Sequence, residues 1–396
     1  MSPTNRPTRS LPDLLAELAP PRVPDYFDDM LKATARTRQR PAWTSLERLL
    51  PMQVSARLAP LGLPSWRPLV LLLVLAGLLL ALATTFLVGA SQRPRNVVDG
   101  TFTLTGSMGV ERERPTATLL RDGRVLVAGG YPLQASRTSE VFDPVTGQFT
   151  PSGDLLHARY DASAVRLEDG RVLIVGGVDP NATSGDGTAY TVGEAEVWDP
   201  ATNLFTPFGT LREARMRPFL RALADGGVVV SGGFAWNGAD SRPISTGERW
   251  DPPTKTFASM PSDGNPPVDP SQVAGLTDGR SLVLDDTGAR VGYPSTGPLS
   301  ATGSPLSPRD VDLLTVTQLS DGRVLLVGGL TVEPPGEAEP VAEIWDPATG
   351  QFRLTGSTVW PRERHSAVRL ADGRILILGN NLTSETMTSA EIFDPG

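Results

Sequence analysis

From residue 100 onward, the apolar positions form short runs that each follow an Asp-Gly pair. Asp and Gly suit the centre of a tight hairpin turn, because that turn needs positive φ angles. An apolar run of four or five residues behind such a turn predicts a buried strand. The pair recurs at intervals of 43 to 56 residues, at Asp122, Asp169, Asp225, Asp278, Asp321 and Asp372. The chain therefore carries six copies of a β repeat.

A second unit recurs behind five of the six apolar runs, after a loop of variable length. It reads EVFDP, EVWDP, ERWDP and EIWDP, and EIFDP stands in the last copy. The aromatic residue suits a half-buried strand, and Asp-Pro marks the turn that follows it. Four short antiparallel strands in each period of roughly 40 to 50 residues are typical of a propeller blade. We predict an all-β, six-bladed β-propeller over residues 100–396.

The two ends of the repeat predict how the ring closes. The sixth copy stops after its third strand, while residues 101–105 match the fourth strand of a repeat. The match keeps its register, since ten residues separate Phe102 from Arg112 and Phe149 from Arg159. Pairing of residues 101–105 with the last copy would remove both exposed sheet edges.

Residues 69–90 break the pattern, because they form 22 consecutive residues without a charge. As a helix they would measure roughly 33 Å, enough to cross a hydrocarbon core of about 30 Å. We predict a transmembrane signal anchor. A cleavable signal peptide is the alternative, but 68 residues precede the stretch. Residues 1–68 carry a net charge of +4 and the remainder −12, which favours a single-pass protein of the cell membrane with a cytoplasmic N-terminus and an extracytoplasmic propeller.

Residues 1–66 are predicted to form the cytoplasmic tail, and residues 91–99 a linker. Pro-rich breaks surround two short helical patterns in the tail. We expect a partly disordered, partly helical segment whose helices lie on the membrane surface or dock a cytoplasmic protein.

Composition limits the chemistry that the chain can carry. The net charge is −8, there is no Cys, and the two histidines, His157 and His365, stand at different offsets in their repeats. An exported domain without Cys closes without disulfides. No P-loop, dinucleotide fingerprint or Ser-His-Asp arrangement stands out. We expect no catalytic residue, no cofactor, no metal and no nucleic-acid partner.

The repeats resemble the kelch repeat, in the bacterial form related to the central domain of galactose oxidase. The resemblance covers residues 100–396 and rests on six registered copies of the first unit, five of which are followed by the second unit. Copy four departs from it, since Asp285-Asp286 replaces Gly-Gly and Gly292 stands at the aromatic position. The resemblance implies a propeller fold. The copper site of galactose oxidase uses a Tyr cross-linked to Cys, which cannot form here, so we expect no copper-radical oxidase activity.

An Arg precedes the first strand in five of the six copies. The loop that holds it is expected on the same face as the loop after Gly-Gly, with the first strand innermost. These side chains would then ring the mouth of the central channel, as a site for a partner that bears carboxylate or phosphate. Kelch adaptor proteins bind acidic peptides through Arg at similar places. The candidate ligand-binding residues are Arg112, Arg159, Arg215, Arg309 and Arg362.

A Glu in the third strand supplies the structural alternative. Copy four lacks both residues and has Arg290 at the Glu position, so Arg and Glu would form charge pairs that hold strand ends. The Glu recurs at Glu140, Glu196, Glu248, Glu343 and Glu391.

These features predict a monomeric, membrane-anchored binding module for an extracytoplasmic protein or glycan. Its specificity is expected in the variable loops at residues 178–193, 234–246 and 330–341. Two alternatives stay open. One is a carbohydrate-active or lyase-type propeller enzyme with its site at the channel mouth. The other is a sensor whose tail relays ligand binding to a cytoplasmic partner.

Overall fold

The computed structural model describes residues 99–181, 190–236, 240–260, 272–285, 288–293, 298–330, 340–380 and 384–396. All of them belong to one compact unit, Pro94–Gly396. Within these ranges no helix has the length and apolar character needed to cross a membrane. The segments 1–66 and 69–90 lie outside the described residues, so the tail and the membrane anchor stay predictions.

Six four-stranded antiparallel sheets make up the described unit, and each is one blade. The first described strand, β1 (Thr101–Leu104), is the outermost and fourth strand of blade 6. Blade 1 contains β2 (Thr116–Leu119), β3 (Val125–Ala128), β4 (Ser139–Asp143) and β5 (Gln148–Pro151). Blade 2 contains β6 (Ser163–Arg166), β7 (Val172–Val175), β8 (Glu194–Asp199) and β9 (Leu204–Thr210). Blade 3 contains β10 (Phe219–Ala222), β11 (Val228–Ser231), β14 (Gly247–Asp251) and β15 (Thr256–Met260), and a side ribbon of β12 (Phe234–Trp236) and β13 (Ser241–Pro243).

The other three blades follow the same plan. Blade 4 contains β16 (Val273–Gly275), β17 (Ser281–Asp285), β18 (Gly288–Gly292) and β19 (Ser300–Ala301). Blade 5 contains β20 (Leu314–Gln318), β21 (Val324–Gly328), β22 (Ala342–Asp346) and β23 (Gln351–Leu354). Blade 6 is completed by β24 (Ser366–Arg369), β25 (Ile375–Leu378) and β26 (Ala390–Asp394). Short helical turns stand at Val311–Leu313 and at α1 (Ser384–Met387). The predicted all-β, six-bladed propeller is confirmed.

The ring closes through strands from the two ends of the unit. β1 pairs with β26, so that Thr101 lies opposite Asp394 and Leu104 opposite Glu391. This is the pairing that the two ends of the repeat predict. Around the ring, first strands contact first strands: β2 touches β6 and β24, and β20 touches β16 and β24. The first strand of each blade is therefore the innermost.

The second strand of each blade forms the core. All residues of β3, β7 and β25 are buried, because a blade packs against each face. Val127 of blade 1 packs with Leu378 of blade 6, and its neighbour Leu126 packs with Ile174 of blade 2. A strand buried on both faces reads as a continuous apolar run, which explains the sequence pattern.

The Gly-Gly pairs stand where the backbone of the next blade comes closest. In blade 1, the N–H of Gly130 donates to the carbonyl oxygen of Arg159 at 2.9 Å. A Cβ on Gly129 would lie 2.5 Å from the same oxygen. The same bond recurs from Gly177 to Arg215 at 3.0 Å. Gly-Gly therefore links consecutive blades through the backbone.

Blade 4 departs from the repeat in the way that its sequence predicts. Val283 pairs with Arg290, whereas the equivalent Val127 of blade 1 pairs with Glu140. Arg290 forms an ion pair with Asp285 on its own hairpin. Blade 4 therefore has an ion pair within one hairpin in place of an ion pair between its third strand and the loop before its first strand.

Gly129→Ala is expected to destabilise the propeller more than Gly123→Ala. The two φ angles are 68° and 87°, and a left-handed conformation costs Ala roughly 1–2 kcal/mol at either position. Only at Gly129 would the new Cβ also meet backbone, since nothing lies within 4 Å of it at Gly123. Urea unfolding of both variants measures the difference. Equal midpoints would show that the approach of the next blade places no constraint on Gly129.

Candidate functional site

The five recurring arginines are buried. Their relative exposures are 0% for Arg112, Arg215 and Arg362, 1% for Arg159 and 9% for Arg309. Each guanidinium group contacts a Glu of its own blade. The pairs are Arg112–Glu140 at 3.1 Å, Arg159–Glu196 at 2.5 Å, Arg215–Glu248 at 3.1 Å, Arg309–Glu343 at 2.7 Å and Arg362–Glu391 at 2.5 Å. The predicted pairing of Arg with Glu is confirmed.

Each pair joins three segments of the blade. In blade 2, Nη1 of Arg159 donates to the carbonyl oxygens of Gly176 at 2.8 Å and Glu194 at 2.9 Å. The carboxylate of Glu196 accepts from the backbone N–H of Leu156 at 2.6 Å. The loop before the first strand, the end of the second strand and the start of the third are thus fixed together.

Burial decides what these pairs contribute. It lowers the pKa of Arg159, while the charge and hydrogen bond of Glu196 act in the opposite direction. Two buried charges that satisfy each other need both partners, because removal of one leaves the other buried without compensation. The contacts support the structural role of the five arginines. Ligand binding by Arg112, Arg159, Arg215, Arg309 and Arg362 stays a prediction, and it would require side chains that are covered in the folded ring.

A different set of charged residues stands at the entrance to the first strands. Each member follows the recurring Arg by two residues and precedes a first strand by two. All have φ between 48° and 54° although none is Gly. Non-glycine residues held in this region store strain and cluster at functional sites. The four residues are Arg114, Asp161, Arg217 and Arg364.

Backbone hydrogen bonds connect these residues from blade to blade. The N–H of Arg114 donates to the carbonyl of Arg364 at 2.7 Å, and that of Asp161 to the carbonyl of Arg114 at 3.3 Å. The N–H of Arg217 donates to the carbonyl of Asp161 at 2.9 Å. Because the first strands are innermost, this chain of bonds runs around the channel entrance. We call these four residues, with Glu113, the mouth ring.

Ion pairs continue around the mouth ring. Asp161 accepts from Nη1 of Arg114 at 2.6 Å and from Nε of Arg217 at 2.9 Å. Glu113 accepts from Nη1 of Arg364 at 2.9 Å. The Arg114 and Arg217 side chains are 20% and 17% exposed, and Arg364 is 37% exposed. Three guanidinium groups therefore face two carboxylates, and the most accessible charge is positive.

The two carboxylates of the mouth ring differ in their pKa. Burial raises the pKa of Glu113, and the hydrogen bond and charge of Arg364 only partly offset it. Burial also acts to raise the pKa of Asp161, but the charges of Arg217 and Arg114 outweigh it and leave that pKa below its usual value. Two carboxylates with pKa values shifted apart can act as an acid and a base.

The two histidines lie in different blades. His365 of blade 6 is buried, with Nε2 2.8 Å from Oγ1 of Thr315. Burial and then the charge of Arg362 lower its pKa to about 3. In blade 2, Nδ1 of His157 lies 3.7 Å from the carboxylate of Glu196. Across the described ranges, no group of three or more His, Cys, Asp or Glu side chains is placed to hold a metal ion.

Comparison with known proteins shows the fold and no closer relationship. No family model matches the sequence, and no curated protein matches it. A solved structure described as the structure of YjhT aligns with a TM-score of 0.53 and 13% identity, over 73% of this chain and 95% of that one. A fungal alcohol oxidase of the AA5 family, in complex with copper, aligns with a TM-score of 0.44 and 18% identity, over 71% of this chain and 62% of that one. The first alignment supports the propeller fold alone.

Arg159→Met is expected to lower the free energy of unfolding by about 3–5 kcal/mol, because Glu196 would stay buried without its partner. The double variant Arg159→Met with Glu196→Leu should recover part of this loss. Urea denaturation measures both.

Arg171→Met is the matched control, since Arg171 pairs with Asp169 at the surface with 40% of its side chain exposed. Its effect should stay below about 1 kcal/mol. An Arg159→Met variant as stable as this control would show that the buried pair does not hold the blade.

Proposed function

We propose that this chain is a membrane-anchored kelch-type propeller that binds an extracytoplasmic protein or glycan at its channel mouth. The observation that carries the proposal is the mouth ring. It presents three partly exposed guanidinium groups from residues with a strained backbone, on a rigid scaffold, and such strain is expected where ligands are bound. The variable loops after Gly-Gly leave the blades on the same face, where they would add contacts to the ligand.

The ligand is expected to present a carboxylate to the mouth ring. Arg364 has the most accessible side chain of the three arginines. Its Nη1 donates to Glu113 and its Nε is buried, so the Nη1–Nη2 edge is the side left for a ligand. A planar guanidinium binds a carboxylate through two parallel hydrogen bonds. Both an acidic peptide segment and an acidic sugar residue carry this group.

Arg364→Gln is expected to weaken ligand binding about 10- to 100-fold, because a charge-assisted hydrogen bond contributes about 1.5–3 kcal/mol. The full-length chain in detergent is used to capture ligands from envelope protein and glycan fractions, and the affinity of the captured ligand is then compared between variants. Arg353→Gln is the matched control. Arg353 lies on β23, the outer strand of blade 5, pairs with Asp99 and has a side chain that is 50% exposed. Equal affinity of Arg364→Gln and wild type, with equal thermal stability, would contradict a ligand site at the mouth ring.

An enzyme is the second candidate, and the two carboxylates of the mouth ring favour it. Glu113 has the raised pKa of an acid and Asp161 the lowered pKa of a base, and the nearby hydroxyl of Tyr160 also has a raised pKa, through burial and the charge of Asp161. A carbohydrate-active enzyme uses such a pair. New reducing ends released from a captured polysaccharide, and lost in Glu113→Gln, would identify this activity.

The membrane topology rests on the charge-free stretch at 69–90 and on the charge difference across it. Protease added to intact cells should degrade the propeller and spare residues 1–66. Antibodies against each end detect the fragments. Protection of residues 100–396 until the cells are permeabilised would reverse the proposed orientation. A sensor function would further require that ligand changes what the tail binds in a pull-down of cytoplasmic proteins.

A further inference from the structure

One junction between blades differs at the outer strands from the four others that the structure describes there. At four junctions, a Gly behind the fourth strand lies so close to the next blade that an added Cβ would meet a turn carbonyl at 2.1 to 2.7 Å. These contacts are Gly106 on Gly147, Gly153 on Asn203, Gly303 on Gly350 and Gly356 on Gly100. Between blades 2 and 3, the equivalent Gly209 faces the rings of Phe257 and Trp250 instead. The two blades meet differently here.

A β-bulge at Phe208 produces the difference. Glu196 pairs with Pro207 and Ala195 with Gly209, so Phe208 has no partner on β8. The ring of Phe208 stacks on Trp250 of blade 3, with centroids 4.2 Å apart and planes at 28°. Four of the other five junctions have a small hydroxyl residue at this position, and the junction between blades 3 and 4 has Met260. The four are Thr105, Ser152, Thr302 and Thr355. A bulge that re-aims a side chain is a feature of binding sites.

Trp250 also differs from its counterparts in the repeat. Trp198 and Trp345 are 2% and 1% exposed, and their indole N–H groups donate to Asn203 and Thr302, each at 3.2 Å. Trp250 is only half-buried, and its indole N–H has no hydrogen-bond partner in the described part of the chain. Phe208 stands at the position of Thr302, and Lys255 at that of Asn203. Both acceptors have been replaced.

The altered junction contains a cleft of about 280 Å³. It lies beside the Asp-Gly turns of blades 2 and 3, at the opposite end of the strands from the mouth ring. Phe208, Trp250 and Leu223 belong to its apolar wall. Its polar lining comes from one turn: Glu168, Asp169 and Arg171.

We propose that this cleft binds one pyranose residue of a neutral glycan. The aromatic and aliphatic wall suits the C–H faces of a sugar ring, and the turn offers carboxylate acceptors and a guanidinium donor for its hydroxyl groups. Asp169 and Arg171 form an ion pair at 2.7 Å and neutralise each other. The net charge of the turn is therefore −1, from Glu168, and it disfavours phosphate and carboxylate ligands. Ligand sites for drug-sized molecules measure about 300–1,000 Å³, so a cleft of this size suits a single ring.

Methyl glycosides of glucose, galactose and mannose are the probes, and saturation-transfer NMR with the full-length chain in detergent detects their binding. We expect at least one of them to bind. Phe208→Thr should lower its affinity at least tenfold, because it removes one wall of the cleft and introduces the residue that three other junctions carry. Its thermal stability should not fall, since Thr provides the acceptor that Trp250 lacks. Glu168→Gln, an exposed substitution, should lower affinity several-fold.

Trp360→Phe is the matched control, because Trp360 is an exposed aromatic in the loop before the first strand of blade 6. It should bind the glycoside as wild type does. Absence of binding by all three glycosides would overturn the proposal, as would binding that survives Phe208→Thr and Glu168→Gln. Binding of tetramethylammonium in their place, lost in Glu168→Gln, would assign the cleft to a cation. None of these outcomes depends on the mouth ring, so this proposal and the proposed function fail separately.

Discussion

The buried Arg–Glu pair is the interaction on which the rest of the propeller depends. Loops connect the fourth strand of one blade to the first strand of the next, and their backbone polar groups have to be satisfied outside the sheet ladders. In five blades the Arg guanidinium satisfies the carbonyl groups at the ends of the second and third strands, while the Glu carboxylate satisfies the N–H groups of the loop. In four of these blades the carbonyl of the same Arg also accepts from the second residue of the Gly-Gly position in the preceding blade, as Arg112 does from Asn380 where the ring closes. One residue thus fixes a blade internally and attaches it to its neighbour.

This role explains how the mouth ring is held. Four of its members follow the buried Arg by two residues and Glu113 follows Arg112 directly, so the position of the Arg backbone determines where they can lie. Four of them accept a left-handed φ, and the hydrogen bonds on both sides provide the energy to keep it. The channel entrance can therefore vary in charge from blade to blade, from Arg114 to Asp161 to Arg217, without any change in its framework. Conserved geometry with variable side chains is what a binding scaffold requires.

The sequence predicts most of the fold because the fold is made of copies. Six Asp-Gly turns in register indicate six blades, and the strand left over at one end indicates the closure. Copy four lacks both the Arg and the Glu, and this joint absence correctly predicted that the two residues pair in the other five copies. The mouth ring was missed, although three of its four positive-φ residues are Arg at a constant offset of two from the buried Arg, because residue types do not show a left-handed backbone. The cleft was missed because no residue type marks a bulge. The sequence shows Phe208 where other repeats have Thr105, Ser152, Thr302 and Thr355, but only the pairing of β8 with β9 shows that Phe208 has no partner.

Closure by β1 sets the order of events in biosynthesis. Thr101 is synthesised 293 residues before its partner Asp394, so the outer edge of blade 6 has to wait until the whole ring has been made. A contact of such long range folds slowly, and until it forms β1 and the third strand of the last blade both expose unpaired edges. Blades 1 to 5 can fold in turn as their strands are synthesised, but the ring can close only after β26 has been synthesised. A chain that ends early therefore leaves an open edge, which chaperones and proteases can distinguish from the finished protein.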